Sequence, residues 1–165
     1  MPALSKEPAM SEAAVIPVLV SKSYADSPER VFDAWLSARS IGQFMFGPRV
    51  RDEEIVRLRT DAVVGGTFSF VVRRQGQEIN HVGQYLEIER PTRLVFTWGV
   101  APETSDGSRV AISVTSTASG ADLTLVHELA PAWADYADRV RGSWGKMLDA
   151  LEVALRDSTG IDAGL

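Results

Sequence analysis

The sequence contains no cysteine. This absence excludes disulfides, thiolate catalysis and cysteine-ligated metal sites, and it fits a reducing compartment. The chain also lacks an excess of basic residues, since 17 lysines and arginines stand against 22 acidic residues, for a net charge of −5. Nucleic acids and anionic membranes are bound by basic surfaces. Neither is therefore expected as a partner.

Long apolar runs are missing as well. No run approaches the roughly 18 residues that a membrane helix needs, so no membrane insertion is expected. The N-terminus has no charged region followed by an apolar segment, so no signal peptide is expected. The sequence predicts a cytoplasmic protein with one domain at residues 15–157 and flexible tails at residues 1–14 and 158–165.

The predicted domain begins with a strand at about residues 18–24, which two short helices follow. Ser27 is suited to cap the first helix and Pro28 to its first position. The second helix is predicted to hold Ile41 and Phe44 and to end at Gly47-Pro48.

An alternating pattern then predicts six further strands. They are expected at residues 55–60, 67–74, 80–89, 93–100, 108–116 and 121–129. The segments between them are short and rich in turn residues, including PETSDGS at 102–108, which favours hairpins and an antiparallel meander.

A long helix is predicted from Trp133 to Leu155, with an apolar stripe along one face. Gly142 and Gly145 interrupt it, and each glycine costs a helix about 1 kcal/mol relative to alanine. We interpret Gly145 as leaving space or admitting a sheet backbone, whereas Gly142 points outward. Grouped strands and grouped helices indicate an α+β fold, with a curved antiparallel sheet of about seven strands around the long helix.

Alternation assigns the faces of three strands. The side chains expected to face the helix are Leu94, Phe96 and Trp98, then Leu123, Leu125, His127 and Leu129, and also Phe68 and Phe70. In residues 80–89 the apolar pattern points Val82, Leu86 and Ile88 inward. This places Gln84 inward and His81 and Tyr85 outward, unless a bulge at Gly83 reverses His81.

Side chains from all these elements would meet between the sheet and the helix, where an apolar pocket with few polar groups is typical of a small-molecule site. The predicted ligand-binding residues are Trp35, Phe44, Phe46, Phe68, Phe70, Gln84, Phe96, Trp98, His127, Tyr136, Val140, Trp144, Met147 and Leu148. The alternative is a filled core without a cavity.

His127 is a weak candidate for catalysis, because histidine exchanges protons near neutral pH. The alternative is a core histidine bonded to a neighbouring group. The spacing of His81, His127 and the carboxylates predicts neither a metal site nor a pair of carboxylates for acid–base chemistry. No metal and no other cofactor are expected.

Four segments resemble a known family: RVFDAW, DAVVGGTFSF, GQYLEIERPTRLVFTW and a final W-x3-L-x2-L-x3-L. Over roughly residues 18–157 they are similar to the activator-of-heat-shock-chaperone-ATPase-like family of the START-like (SRPBCC) superfamily. The resemblance implies a helix-grip fold with a cavity for a hydrophobic small molecule. The chain departs from the family where residues 44–48 read FMFGP instead of a paired Trp-Trp-Gly-Pro, and where Ser143 replaces a glycine.

Three functions remain open from the sequence. The first is binding of an apolar or aromatic small molecule. The second is a metal-free cyclase or hydrolase that uses His127 with Tyr85, Gln84 or Tyr136 for proton transfer. The third is a module that contacts a protein partner, a chaperone ATPase. The sequence does not distinguish a monomer from a homodimer.

Overall fold

The structure is a computed structural model that describes residues 15–101 and 103–164, without the side chains of residues 103–107 and 158–164. The predicted N-terminal tail at residues 1–14 lies outside the described residues. Within them, the elements follow the predicted order of one strand, two short helices, six strands and a long helix.

The strands are β1 (Ile16–Tyr24), β2 (Glu54–Thr60), β3 (Thr67–Arg74), β4 (Gln77–Glu89), β5 (Arg93–Val100), β6 (Glu103–Thr117) and β7 (Gly120–Leu129). The helices are α1 (Pro28–Ala34), α2 (Ala38–Phe44), a 3-10 helix (Pro131–Tyr136) and α3 (Ala137–Gly164).

All seven strands form one antiparallel sheet in the order β1-β7-β6-β5-β4-β3-β2. From β2 to β7 each strand pairs with the next one in sequence, which confirms the predicted meander. β1 completes the sheet by pairing with β7, Val18 opposite His127. The α+β fold with a curved sheet and a long C-terminal helix is therefore confirmed.

Local chemistry explains the two short helices. The hydroxyl of Ser27 accepts a hydrogen bond from the backbone N–H of Arg30, and Pro28 begins α1 as predicted. Ser37 caps α2 in the same way through the N–H of Ser40. α2 ends at Phe44, slightly before the predicted Gly47-Pro48 boundary.

α3 packs its apolar stripe against the sheet and the two short helices in a single core. Trp144, Leu148 and Leu151 are buried on the helix, and Leu123 and Leu125 face them from β7. Burial of each such side chain contributes roughly 1.5–3 kcal/mol, so this interface holds the helix in place.

Two boundaries differ from the prediction. The chain forms a 3-10 turn before α3 begins at Ala137, so Trp133 lies outside the helix and is 55% exposed. At the other end α3 continues to Gly164, beyond Leu155 and through the segment predicted as a tail. No proline follows Leu155 to stop the helix.

The turn predicted at residues 102–108 is also shorter than expected. β6 begins at Glu103, which pairs with Val100 of β5. Polar residues in this hairpin therefore continue the ladder, because strand pairing does not require apolar side chains at an exposed end. None of the described helices is long and apolar enough to cross a membrane.

Candidate functional site

A pocket of about 300 Å³ lies where α3 begins, between the helix and the near end of the sheet. This volume is at the lower end of the range for small-molecule sites, roughly 300–1,000 Å³. The sheet side and the loop after α2 contribute Phe46, Arg51, His81, Trp98 and His127.

The helical side of the pocket comes from two segments. The 3-10 helix contributes Trp133 and Tyr136, and α3 contributes Arg139, Val140, Ser143, Trp144 and Met147. Trp133 and Tyr136 are 55% and 42% exposed, and their ring centroids lie 5.3 Å apart. Exposed aromatic rings beside a pocket place an apolar surface at its mouth.

The interior next to this pocket is filled by aromatic side chains. The rings of Trp35 and Phe44 meet edge to face at 4.8 Å, and those of Phe68 and Phe70 stack at 4.7 Å. The void left among these rings measures about 10 Å³. A void of about 10–15 Å³ holds one water at most, so this part of the molecule is core.

His127 has a hydrogen-bond partner at each ring nitrogen. The indole N–H of Trp144 donates to Nδ1 at 2.9 Å, so the proton of the neutral ring must reside on Nε2. Nε2 then donates to the hydroxyl of Ser108, which donates in turn to the carbonyl of Trp98 at 3.1 Å. Burial lowers the pKa of His127 to about 4, which keeps the ring neutral near pH 7.

This arrangement has the opposite polarity to a catalytic serine–histidine pair. In a triad, a carboxylate accepts the Nδ1 proton and leaves Nε2 free to deprotonate the serine. Here Trp144 donates to Nδ1, so Nε2 of His127 already carries a proton and cannot accept one from Ser108. The geometry favours the core-histidine interpretation over the catalytic one.

His81 differs from His127 because one ring nitrogen has no partner. Its Nδ1 lies 3.3 Å from the carbonyl of Phe70 and donates to it. Nε2 has no hydrogen-bond partner in the described part of the chain. Burial lowers the pKa of His81 to about 4, and the positive charges of Arg74 and Arg51 act in the same direction. His81 therefore presents a neutral acceptor to the pocket.

The orientation of β4 corrects the predicted faces. His81 and Tyr85 are buried, whereas Gln84 is exposed and its side chain donates to the carbonyl of Gly65. A bulge between Tyr85 and Glu87 then shifts the register, so Ile88 still packs against the core. Gly83 cannot carry an inward side chain, because the backbone carbonyl of Thr97 and the ring of Phe68 occupy that position.

The apolar pattern misled here because the two inward polar residues are satisfied by hydrogen bonds. His81 donates to a backbone carbonyl, and the Tyr85 hydroxyl bonds to Thr60. A buried polar side chain with a partner costs far less than one without.

Two arginines border the pocket. Arg51 is half-buried, and its guanidinium makes no hydrogen bond or salt bridge among the described residues. Burial lowers the pKa of Arg51, the charge of Arg74 adds to this effect, and Glu53 opposes it. Arg139 is exposed and lies over the ring of Tyr136 at 5.5 Å.

The structure brings together part of the predicted set. Seven predicted residues line the pocket: Phe46, Trp98, His127, Tyr136, Val140, Trp144 and Met147. Six others belong to the core without lining it: Trp35, Phe44, Phe68, Phe70, Phe96 and Leu148. Gln84 borders a separate groove on the outer face of the sheet.

Sequence reasoning missed most of the polar groups at the pocket. The sequence pattern assigned no role in a pocket to Arg51 or Arg139, His81 was assigned outward, and Ser143 was noted only for replacing a glycine. The one signal for Trp133 was its place among the aromatic residues around the long helix. Nothing local in the sequence indicates that Arg51 is left without a partner.

A sheet curved around a C-terminal helix, with a pocket at one end of their interface, defines the helix-grip class of the START-like (SRPBCC) superfamily. Comparison with protein families gives the same result at a finer level. The family described as "Activator of Hsp90 ATPase homolog 1-like protein" matches residues 25–156, and the chain belongs to it. No curated protein matches the chain.

Solved structures with the same fold come from several bacteria. A Nitrosomonas europaea protein is 18% identical, covers 88% of this chain and 97% of its own, and has a TM-score of 0.75. A Staphylococcus aureus protein of unknown function is 17% identical over 88% and 96%, with a TM-score of 0.76. The AHSA1-like protein of Aeromonas hydrophila is 19% identical over 87% and 94%, with a TM-score of 0.72. These similarities show the fold alone.

Among the described residues, no three histidine, aspartate or glutamate side chains cluster as metal ligands. The chemistry available at the pocket is therefore that of aromatic walls, one histidine acceptor and two arginines.

Proposed function

We propose that the protein binds a small aromatic or otherwise apolar molecule in the pocket at the start of α3. The observation that carries the proposal is the aromatic wall formed by Phe46, Trp98 and Trp144, continued at the mouth by Trp133 and Tyr136. Flat rings of this kind contact a flat ligand over a large area and bury apolar surface.

The pocket also has the few polar groups that orient a ligand. His81 offers an acceptor nitrogen, and Ser143 lies on α3 at the opposite side. The enzyme alternative has less support, because the two nitrogens of His127 are already engaged by Trp144 and Ser108. A binding role requires no proton transfer from either histidine.

The test uses N-phenyl-1-naphthylamine, an uncharged aromatic probe that fluoresces in apolar surroundings. We expect saturable binding at one site and at least tenfold weaker binding by Ser143→Phe, since the new ring fills the pocket. Gly142→Phe is the matched control, because this neighbouring position is exposed and a Cβ there meets no atom within 4 Å. This variant should bind like the wild type.

Two results would overturn the proposal. One is the absence of saturable probe binding by the folded wild type. The other is equal binding by Ser143→Phe and the wild type, which would locate the probe elsewhere on the molecule. Circular dichroism of each variant verifies that α3 is intact.

A further inference from the structure

We infer that the natural ligand carries an anionic group, a carboxylate or one of similar size, and that Arg51 binds it. This inference rests on the proposed function, since it concerns the ligand of the same pocket. It goes further because it divides the pocket into an aromatic part and a cationic part.

The first observation is that the Arg51 guanidinium has no hydrogen-bond or ion-pair partner among the described residues, although an acidic residue is close by. The side chain of Glu53 is fully buried, and one of its carboxylate oxygens accepts two hydrogen bonds from Arg74, the shorter at 2.7 Å. Its other oxygen accepts from the backbone N–H of Gly47 at 3.1 Å. Glu53 is therefore committed to Arg74 and Gly47, and this group of three charges retains one positive charge at Arg51.

The second observation is the charge of the pocket as a whole. None of the described residues that line the pocket is acidic, whereas two arginines, Arg51 and Arg139, line it. Removing a guanidinium from water costs free energy unless a charge or hydrogen bonds replace the lost hydration. Burial and the neighbouring Arg74 lower the pKa of Arg51, which reflects this cost. An anionic group on the ligand would offset it.

The third observation is the position of Arg51 relative to the aromatic wall. Arg51 follows α2 in a loop anchored by its own backbone N–H, which donates to the carbonyl of Gly47 at 3.0 Å. Its side chain borders the same pocket as Trp98 and Phe46. A guanidinium presents two parallel N–H donors that match a carboxylate, and the adjacent rings would hold a flat apolar body.

The experiment compares two probes that differ by one anionic group. 8-Anilinonaphthalene-1-sulfonate carries a sulfonate, and N-phenyl-1-naphthylamine is the same ring system without it. Fluorescence titrations give Kd for each probe with the wild type, Arg51→Gln and Arg109→Gln. Arg109 is the matched control, since it is an exposed arginine on β6 that does not line the pocket.

We expect Arg51→Gln to weaken binding of the sulfonate probe about tenfold, as befits loss of a charge-assisted hydrogen bond. Binding of the uncharged probe should stay within twofold. Arg109→Gln should change neither Kd by more than twofold. Added NaCl should weaken binding of the sulfonate probe to the wild type more than binding to Arg51→Gln.

The outcomes separate the inference from the proposed function. If the uncharged probe binds in the pocket but Arg51→Gln affects both probes equally, or neither, the inference is wrong and the proposed function stands. If neither probe binds the wild type, the proposed function fails and the inference fails with it.

Discussion

The two buried histidines show how much depends on a single hydrogen-bond partner. His127 and His81 have the same lowered pKa of about 4, and burial is the main cause in both. Trp144 and Ser108 use both nitrogens of His127, whereas His81 lines the pocket and its Nε2 has no hydrogen-bond partner among the described residues. Equal burial therefore leaves one histidine structural and the other available to a ligand.

The lowered pKa of His127 predicts a pH dependence of stability. The unfolded chain has an ordinary histidine pKa near 6.5 and the folded chain one of about 4, so between these values the unfolded state binds more protons. The contribution of neutral His127 to the free energy of unfolding is complete above pH 6.5 and is lost as the pH falls toward 4.

Replacing His127 by glutamine should remove this contribution, because glutamine offers a donor and an acceptor but does not titrate. The stability of His127→Gln relative to the wild type should rise by about 2 kcal/mol from pH 7 to pH 4.5, since one proton contributes at most about 1.4 kcal/mol per pH unit. Urea unfolding of both proteins at several pH values measures this difference in the free energy of unfolding. A difference that stays constant with pH would contradict the neutral, buried state of His127.

At the scale of single elements, α3 contains two glycines for which the fold gives no steric reason. The sequence suggested that Gly145 either leaves space or admits the backbone of a strand. However, a Cβ at Gly145 or at Gly142 would meet no atom within 4 Å. No strand backbone therefore approaches Gly145, whereas the open space beside it agrees with the other alternative, and both glycines are replaceable as far as packing is concerned.

Alanine at either position should therefore stabilise the protein. We expect Gly142→Ala and Gly145→Ala each to raise the free energy of unfolding by about 0.5–1 kcal/mol, through the higher helix propensity of alanine. Chemical denaturation measures the change. Lys146→Gly, at the exposed position directly after Gly145 in the same helix, is the reverse control and should lose a similar amount. Destabilisation by either alanine would show that α3 is more tightly packed there than the structure indicates.

The elements also show how far the sequence determines the fold. The alternation in β7, and the one read from Leu94, Phe96 and Trp98 in β5, predicted the side chains that face the core, and Ser27-Pro28 predicted the start of α1. β4 was predicted wrongly, since a bulge interrupts its alternation and hydrogen bonds allow His81 to face inward. The local sequence pattern thus predicts which side chains of a strand face the core, except where a tertiary contact allows a polar side chain to be buried.

At the scale of the whole molecule, the pocket depends on contacts between distant parts of the chain. Arg51 from the loop after α2, His81 from β4 and Arg139 from α3 meet at one end of the sheet. These residues are far apart in the sequence, so their proximity could not be predicted from local patterns. Among the described residues Arg51 has no partner because Glu53 pairs with Arg74. The aromatic half of the pocket was accessible from the sequence, but the charged half was not.

The central claim is that an apolar ligand occupies the pocket at the start of α3. The four tryptophans test it directly, since Trp98, Trp133 and Trp144 line the pocket and Trp35 is buried in the core. In ¹⁵N-resolved NMR spectra, titration with N-phenyl-1-naphthylamine should shift the indole N–H signals of Trp98 and Trp133 most and that of Trp35 least. Indole signals that stay unchanged at saturation, or a largest shift at Trp35, would contradict the claim.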